Sequence, residues 1–146
     1  MVFSINFIVN QKIELMNQIV TELESLNKIS YQIIGAAFKV HRELGPGLLE
    51  STYEVCLEYE LIRNGLKVER QKALPVVYFD VKLDAGYRID LFVENRIILE
   101  LKCVDAIAPV HKAQIMTYLK LTGSKLGLLL NFNVADMKSG INRIII

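Results

Sequence analysis

Three charged residues stand inside what otherwise reads as apolar strand: Asp90 in YRIDLFV, and Glu100 and Lys102 in IILELKCV. Charges set among Ile, Leu, Phe and Val are costly unless something compensates or uses them. Side chains alternate faces along a strand, so Glu100 and Lys102 share one face and Leu99, Leu101 and Cys103 the other. If Glu94-Asn95-Arg96 forms a three-residue loop, Val93 pairs with Ile97, Asp90 lies opposite Glu100, and Arg88 lies opposite Lys102. Directly opposed residues are about 5 Å apart at Cβ. Two carboxylates that close repel unless one keeps its proton or a cation joins them. Hard oxygen donors of this kind suit Mg²⁺ or Mn²⁺. Two other arrangements fit the same residues. Arg88 and Lys102 could neutralise the carboxylates as a structural ion-pair cluster, and a two-residue turn would move Asp90 to the face opposite Glu100.

The elements that must hold this hairpin follow from periodicity. From Ile19 apolar residues recur at helical spacing through Leu23, Leu26, Ile33, Ala37, Val40 and Leu44. This predicts one helix with a break near Asn27-Lys28 and Ser30 as the cap of its second part. The first fifteen residues show little periodic pattern and read as an N-terminal extension, with Met16 opening a single domain over 16–146. Gly45-Pro46-Gly47 stops the helix. A second helix is expected from about Leu49 to Arg63, with Tyr53, Leu57 and Leu61 buried and Gly65 past its end. LKVERQ, LPVVYF and VKLDAGY are short strand-like pieces before the hairpin. Pro109 then opens a third helix, Val110 to Leu121, and KLGLLLNF and INRIII complete the strands. The order predicts a mixed α/β domain, helices against a central sheet.

Bulk properties narrow the function classes. A chain of 146 residues suits one core. Hydrophobic residues make up 52% and mean hydropathy is +0.32, which points to apolar surface covered by a second copy, a homodimer. A net charge of +1 leaves little general grip on nucleic acid, so any such binding needs a local basic patch or an unidentified protein partner. Cys56 and Cys103 have no CxxC spacing and suit a reducing, cytoplasmic setting. No run reaches the roughly 18 apolar residues of a membrane span. GxSxG, P-loop and HExxH motifs are absent, and His41 falls on an apolar helical stripe as a core histidine would.

Three stretches carry a resemblance. DLFVENRIILELK has the form D…ExK and resembles the metal-binding core of the PD-(D/E)XK nuclease superfamily. HKAQIMTYLK supplies Gln114 and Tyr118, similar to the QxxxY pattern of its RecB-like members, and GLLESTY resembles the signature of the GxxExxY family. Ile89 stands where the pattern has Pro, and Gly86 is four residues before Asp90. The resemblance covers about Met16 to Ile146 and implies a restriction-endonuclease-like core with a central mixed β-sheet flanked by helices. It implies a metal-dependent nuclease acting on DNA, with Asp90, Glu100 and the main-chain carbonyl of Leu101 holding Mg²⁺ (or Mn²⁺). Lys102 would orient the attacking water, Glu50 would reach in from the second helix, and Gln114 and Tyr118 would shape the site. Without the resemblance, Glu50 reads as a first-turn glutamate complementing a helix dipole, Tyr118 as a core aromatic and His111 as a helix cap. The same fold could instead serve as a non-catalytic nucleic-acid-binding or regulatory module acting with a partner.

Overall fold

The computed structural model describes residues 1–84 and 86–146. Its elements run α1 (Val2–Leu44), α2 (Glu50–Arg63), β1 (Val68–Ala73), β2 (Val76–Tyr78), β3 (Val81–Leu83), β4 (Arg88–Val93), β5 (Ile97–Lys102), α3 (Pro109–Thr122), β6 (Leu126–Asn131) and β7 (Ile141–Ile145), with a short 3₁₀ turn at Met137–Gly140. A five-stranded sheet has the order β1-β4-β5-β6-β7, and β2 and β3 form a separate hairpin. Only β5 and β6 are parallel, joined through α3; the other neighbours are antiparallel. The expected mixed α/β architecture with a central mixed sheet is therefore observed.

Alternation along the central strands divides the core in two. Leu91, Leu99, Leu101, Leu128 and Leu130 pack under α1 and α2 with Ile33, Ala37, Leu57 and Leu61. Ile98 and Leu129 face the other way, against Ile115, Tyr118 and Leu119 of α3. Gly127 permits the close seat of α3: a Cβ there would stand 2.8 Å from the Ile115 Cδ1. The His41 ring bonds the Val134 carbonyl at 2.8 Å and is a satisfied core group.

α1 departs from expectation. It is continuous over 43 residues, roughly 65 Å at 1.5 Å per residue, with no break at Asn27-Lys28. Neither residue is a helix breaker, and the body clamps the helix there: Arg96 Nη1 donates to Ser25 Oγ at 2.7 Å, and Arg143 Nη2 donates to Asn27 Oδ1. Ser30 is no cap but a buried mid-helix residue whose hydroxyl has no partner among the described residues. Residues 2–15, which show little pattern in sequence, continue the same helix and are exposed.

Candidate active site

The hairpin carries the expected register, Val93↔Ile97, Phe92↔Ile98 and Leu91↔Leu99. Its turn places Glu94 and Asn95 at φ 55° and 53°, the left-handed conformation that a tight hairpin favours. The regular ladder then stops. Asp90 does not sit in a simple pair opposite Glu100, and Arg88 does not face Lys102; Arg88 pairs with Ala73 of β1. Instead side chains take over the bonding. Leu101 N donates to Asp90 Oδ2 at 2.9 Å, and Asp90 N donates to Glu100 Oε1 at 3.3 Å.

The reason lies across the sheet on β1. Pairing of β1 with β4 is regular on both sides of Gln71 and Asp90 but skips those two. Gln71 has φ 54°, rare for a residue with a side chain, and such strain is kept where surrounding structure enforces it. Alternation breaks on both strands at this point. Ile89 packs on the α3 side but Leu91 on the α1–α2 side, although they are two residues apart. Likewise Arg70 reaches Glu54 and Glu58 of α2, at 3.8 and 3.3 Å, while Lys72 lies over the Phe92 ring. The paired kinks aim the Gln71 amide at the acids: Nε2 donates to both Glu54 oxygens, at 2.9 and 3.0 Å, and to Asp90 Oδ1 at 3.3 Å.

α2 delivers the second set of acids. Tyr53, buried and stacked on Phe132, donates its hydroxyl hydrogen to the Gly45 carbonyl and accepts from Leu48 N at 3.2 Å. It ties down the Gly45–Gly47 turn and so fixes where α2 begins, which is at Glu50. Tyr53 is thus a supporting residue. Glu50 and Glu54, one turn apart, both lie at the site. Burial, then Asp90, raises the Glu54 carboxyl above the ordinary range, against the bond from Gln71. Burial is also the first cause of the upward shift at Glu50, with Lys102 acting the other way.

Glu100 is the most perturbed group: 2% exposed, it is pushed up to about 9 by burial and by Asp90. Among the described residues no Lys or Arg forms an ion pair with Asp90, Glu100 or Glu50. The ion-pair cluster is therefore not what the structure builds. Arg88 donates to the Gln71 carbonyl at 3.3 Å, and Lys102 Nζ donates to Gln114 Oε1 at 3.3 Å. Gln114 Nε2 in turn donates to Tyr118 Oη at 3.2 Å, so Lys102, Gln114 and Tyr118 form one chain of bonds across β5 and α3. His111 stands apart from it: its Nδ1 accepts from Ala108 N at 3.0 Å, a helix cap. Arg70 and Lys72 are each paired with glutamates.

Three contributors escaped sequence reasoning. Glu54 could have been found by its i,i+4 spacing from Glu50 on one helix face. Gln71 carries no sequence signal. Asn131, buried, brackets the chain just past Lys102: its Oδ1 accepts from Val104 N at 3.2 Å and its Nδ2 donates to Val104 O at 2.9 Å.

The donor set suits a hard divalent cation in type: carboxylates of Asp90, Glu100 and Glu50 on one side, with a buried acid that cannot ionise cheaply without positive charge. In this arrangement, among the described residues, no three His, Cys, Asp or Glu side chains stand at metal-ligating distance, because Asp90 and Glu100 are turned onto backbone amides. No curated protein and no solved structure matches the chain. A family model does: that of the PD-(D/E)XK nuclease superfamily, over residues 27–144. With the mixed sheet, the D…ExK hairpin and the flanking helices in place, the chain belongs to the PD-(D/E)XK nuclease superfamily.

Proposed function

We propose that this chain is a metal-dependent nuclease that hydrolyses phosphodiester bonds in DNA, with Asp90 and Glu100 as ligands of Mg²⁺ (or Mn²⁺) and the Leu101 carbonyl as a further ligand. One observation carries the reading: a buried glutamate lies against an aspartate and, among the described residues, no basic side chain is paired to either. An ion-pair cluster would have matched them with a basic side chain; an acid pair that without metal must hold a proton is explained by a cation that takes the place of that proton. Such a cation supplies positive charge to the phosphate and acidity to the attacking water.

The chain's own groups do the rest. Gln114 Oε1 accepts a hydrogen bond from Lys102 Nζ, which fixes the ammonium and leaves its two other N–H groups to direct the water or a phosphate oxygen. Tyr118 locks the orientation of the Gln114 amide. Glu50 completes the acidic set from α2, and Gln71 holds Asp90 and Glu54 in place. These roles extend the likeness to the RecB-like and GxxExxY groups.

Residues 1–15 are read as an extension of a domain spanning 16–146. The seam Leu26, Ile33, Ala37 and Val40, buried against the body, continues at steps of three and four through Leu23, Ile19 and Met16 and, past Lys12, through Val9 and Ile5, all about half to two-thirds exposed. That continuation supports a homodimer through α1. Free cysteines Cys56 and Cys103 fit the cytoplasm, and among the described residues no helix is long and apolar enough to cross a membrane. A partner protein belongs to the alternative reading, a non-catalytic nucleic-acid-binding or regulatory module of the same fold.

The test is cleavage of supercoiled plasmid, linear duplex, single-stranded DNA and RNA with Mg²⁺, Mn²⁺ or EDTA, beside Lys102→Ala and Glu100→Ala. Metal-dependent cutting lost in both variants supports the proposal. Cutting that survives either substitution overturns it.

A further inference from the structure

Between the β2–β3 hairpin and α3 lies a groove of about 480 Å³ that leads away from the acidic residues of the site. Its walls are mainly apolar: Val76, Leu83 and Tyr87 on one side, Val110, Thr117 and Leu121 on the other. Gln114 and Tyr118 also line it, and these are the residues bonded to Lys102. Whatever occupies the groove therefore sits beside the scissile centre. We propose that it receives an unpaired nucleobase, so that the substrate of this site is single-stranded nucleic acid; the inference rests on the nuclease reading above.

Four features point to that occupant. The volume falls within the roughly 300–1,000 Å³ typical of small-molecule sites, so a flat heterocycle can enter. Tyr87, 49% exposed, offers an aromatic face at the groove. At the turn of the β2–β3 hairpin Tyr78 and Phe79 meet edge to face at 4.7 Å and are strongly exposed, a further aromatic pair on the element that forms one wall. α3 carries no acidic residue, and its Lys112 and Lys120 form no ion pair among the described residues, whereas opposite them Lys82 of β3 stands between Asp80 in the hairpin turn and Asp84 just past it. Apolar and aromatic walls for bases, with the two lysines of α3 for phosphates, are what sequence-tolerant single-strand binding requires. A duplex keeps its base faces stacked inside and has nothing to place in such a groove. The chain's near-neutral charge agrees: grip must come from stacking at one place and not from a general field.

The experiment uses the full chain in EDTA, with fluorescence anisotropy on a labelled 20-mer DNA single strand, its duplex, and a single strand of equal length with abasic sites. The same proteins are then assayed for cleavage with Mn²⁺. The variants are Tyr87→Ala and Val110→Glu, both at accessible positions, with melting temperature as a folding control. Preference for the single strand over both duplex and abasic strand, reduced roughly ten-fold or more by either variant while duplex binding stays the same, bears the proposal out. Equal binding of abasic and normal strands, or binding untouched by both variants, overturns it. The two readings fail differently. Metal-dependent cutting of duplex that neither variant alters removes the groove's role and leaves the nuclease standing. No cutting of any substrate, alongside single-strand binding that depends on Tyr87, keeps the groove and removes the nuclease.

Discussion

In metal-free buffer the protein should lose stability as pH rises, and Glu100 should account for much of the loss. Its carboxyl is buried and is pushed up to about 9, against 4.5 for an ordinary glutamate. Between those values the folded protein keeps a proton that the unfolded chain has released. The folded state then binds more protons, so stability falls with pH. The favourable contribution is complete below about 4.5 and drains away as pH rises toward 9. One proton corresponds to about 1.4 kcal/mol per pH unit, so between 4.5 and 7 the loss is roughly 3 kcal/mol. That figure depends only on the folded value lying well above 7. Glu100→Gln keeps the shape of the protonated acid and cannot ionise. Urea denaturation of both proteins at pH 5, 6, 7 and 8 in EDTA should show the variant gaining on the wild type at each step, by up to about 1.4 kcal/mol per unit. Glu50 and Glu54 shift the same way in both proteins and cancel in the difference. Parallel curves would refute the reasoning, since they would mean Glu100 ionises freely in the folded state.

Metal should act in the opposite sense. Mn²⁺ binds the ionised carboxylates, so its stabilising effect should strengthen from pH 6 to 8, and a melting series with Asp90→Asn should show none of it. Gly127→Ala places a methyl 2.8 Å from Ile115 Cδ1, which should cost about 1–3 kcal/mol and push Gln114 on α3 away from Lys102; denaturation and the cleavage rate should fall together. Ser30→Ala removes a buried hydroxyl that has no partner and should stabilise the protein by roughly 1 kcal/mol in urea denaturation.

Local chemistry made much of this protein legible in one dimension. The three-residue turn sets the hairpin register, Gly45-Pro46-Gly47 ends α1, and the change of period after Arg63 marks where strands begin. Each depends on neighbours in sequence. The i,i+4 step from Gln114 to Tyr118 likewise places both on one face of α3, and the chain of bonds with Lys102 shows them together. The remaining features come from long-range contacts that are made by breaking local rules. A continuous α1 depends on clamping by Arg96 from the β4–β5 turn and Arg143 from β7. Glu54 reads from sequence as one more acid on a polar helix, and becomes part of the site only because Gln71 adopts a positive φ across from Asp90. Alternation assigns side chains to faces on the assumption that every strand residue is extended. At Gln71 and Asp90 that assumption fails on both strands at once, since the cost of the kink is met by bonds to residues far away in the chain.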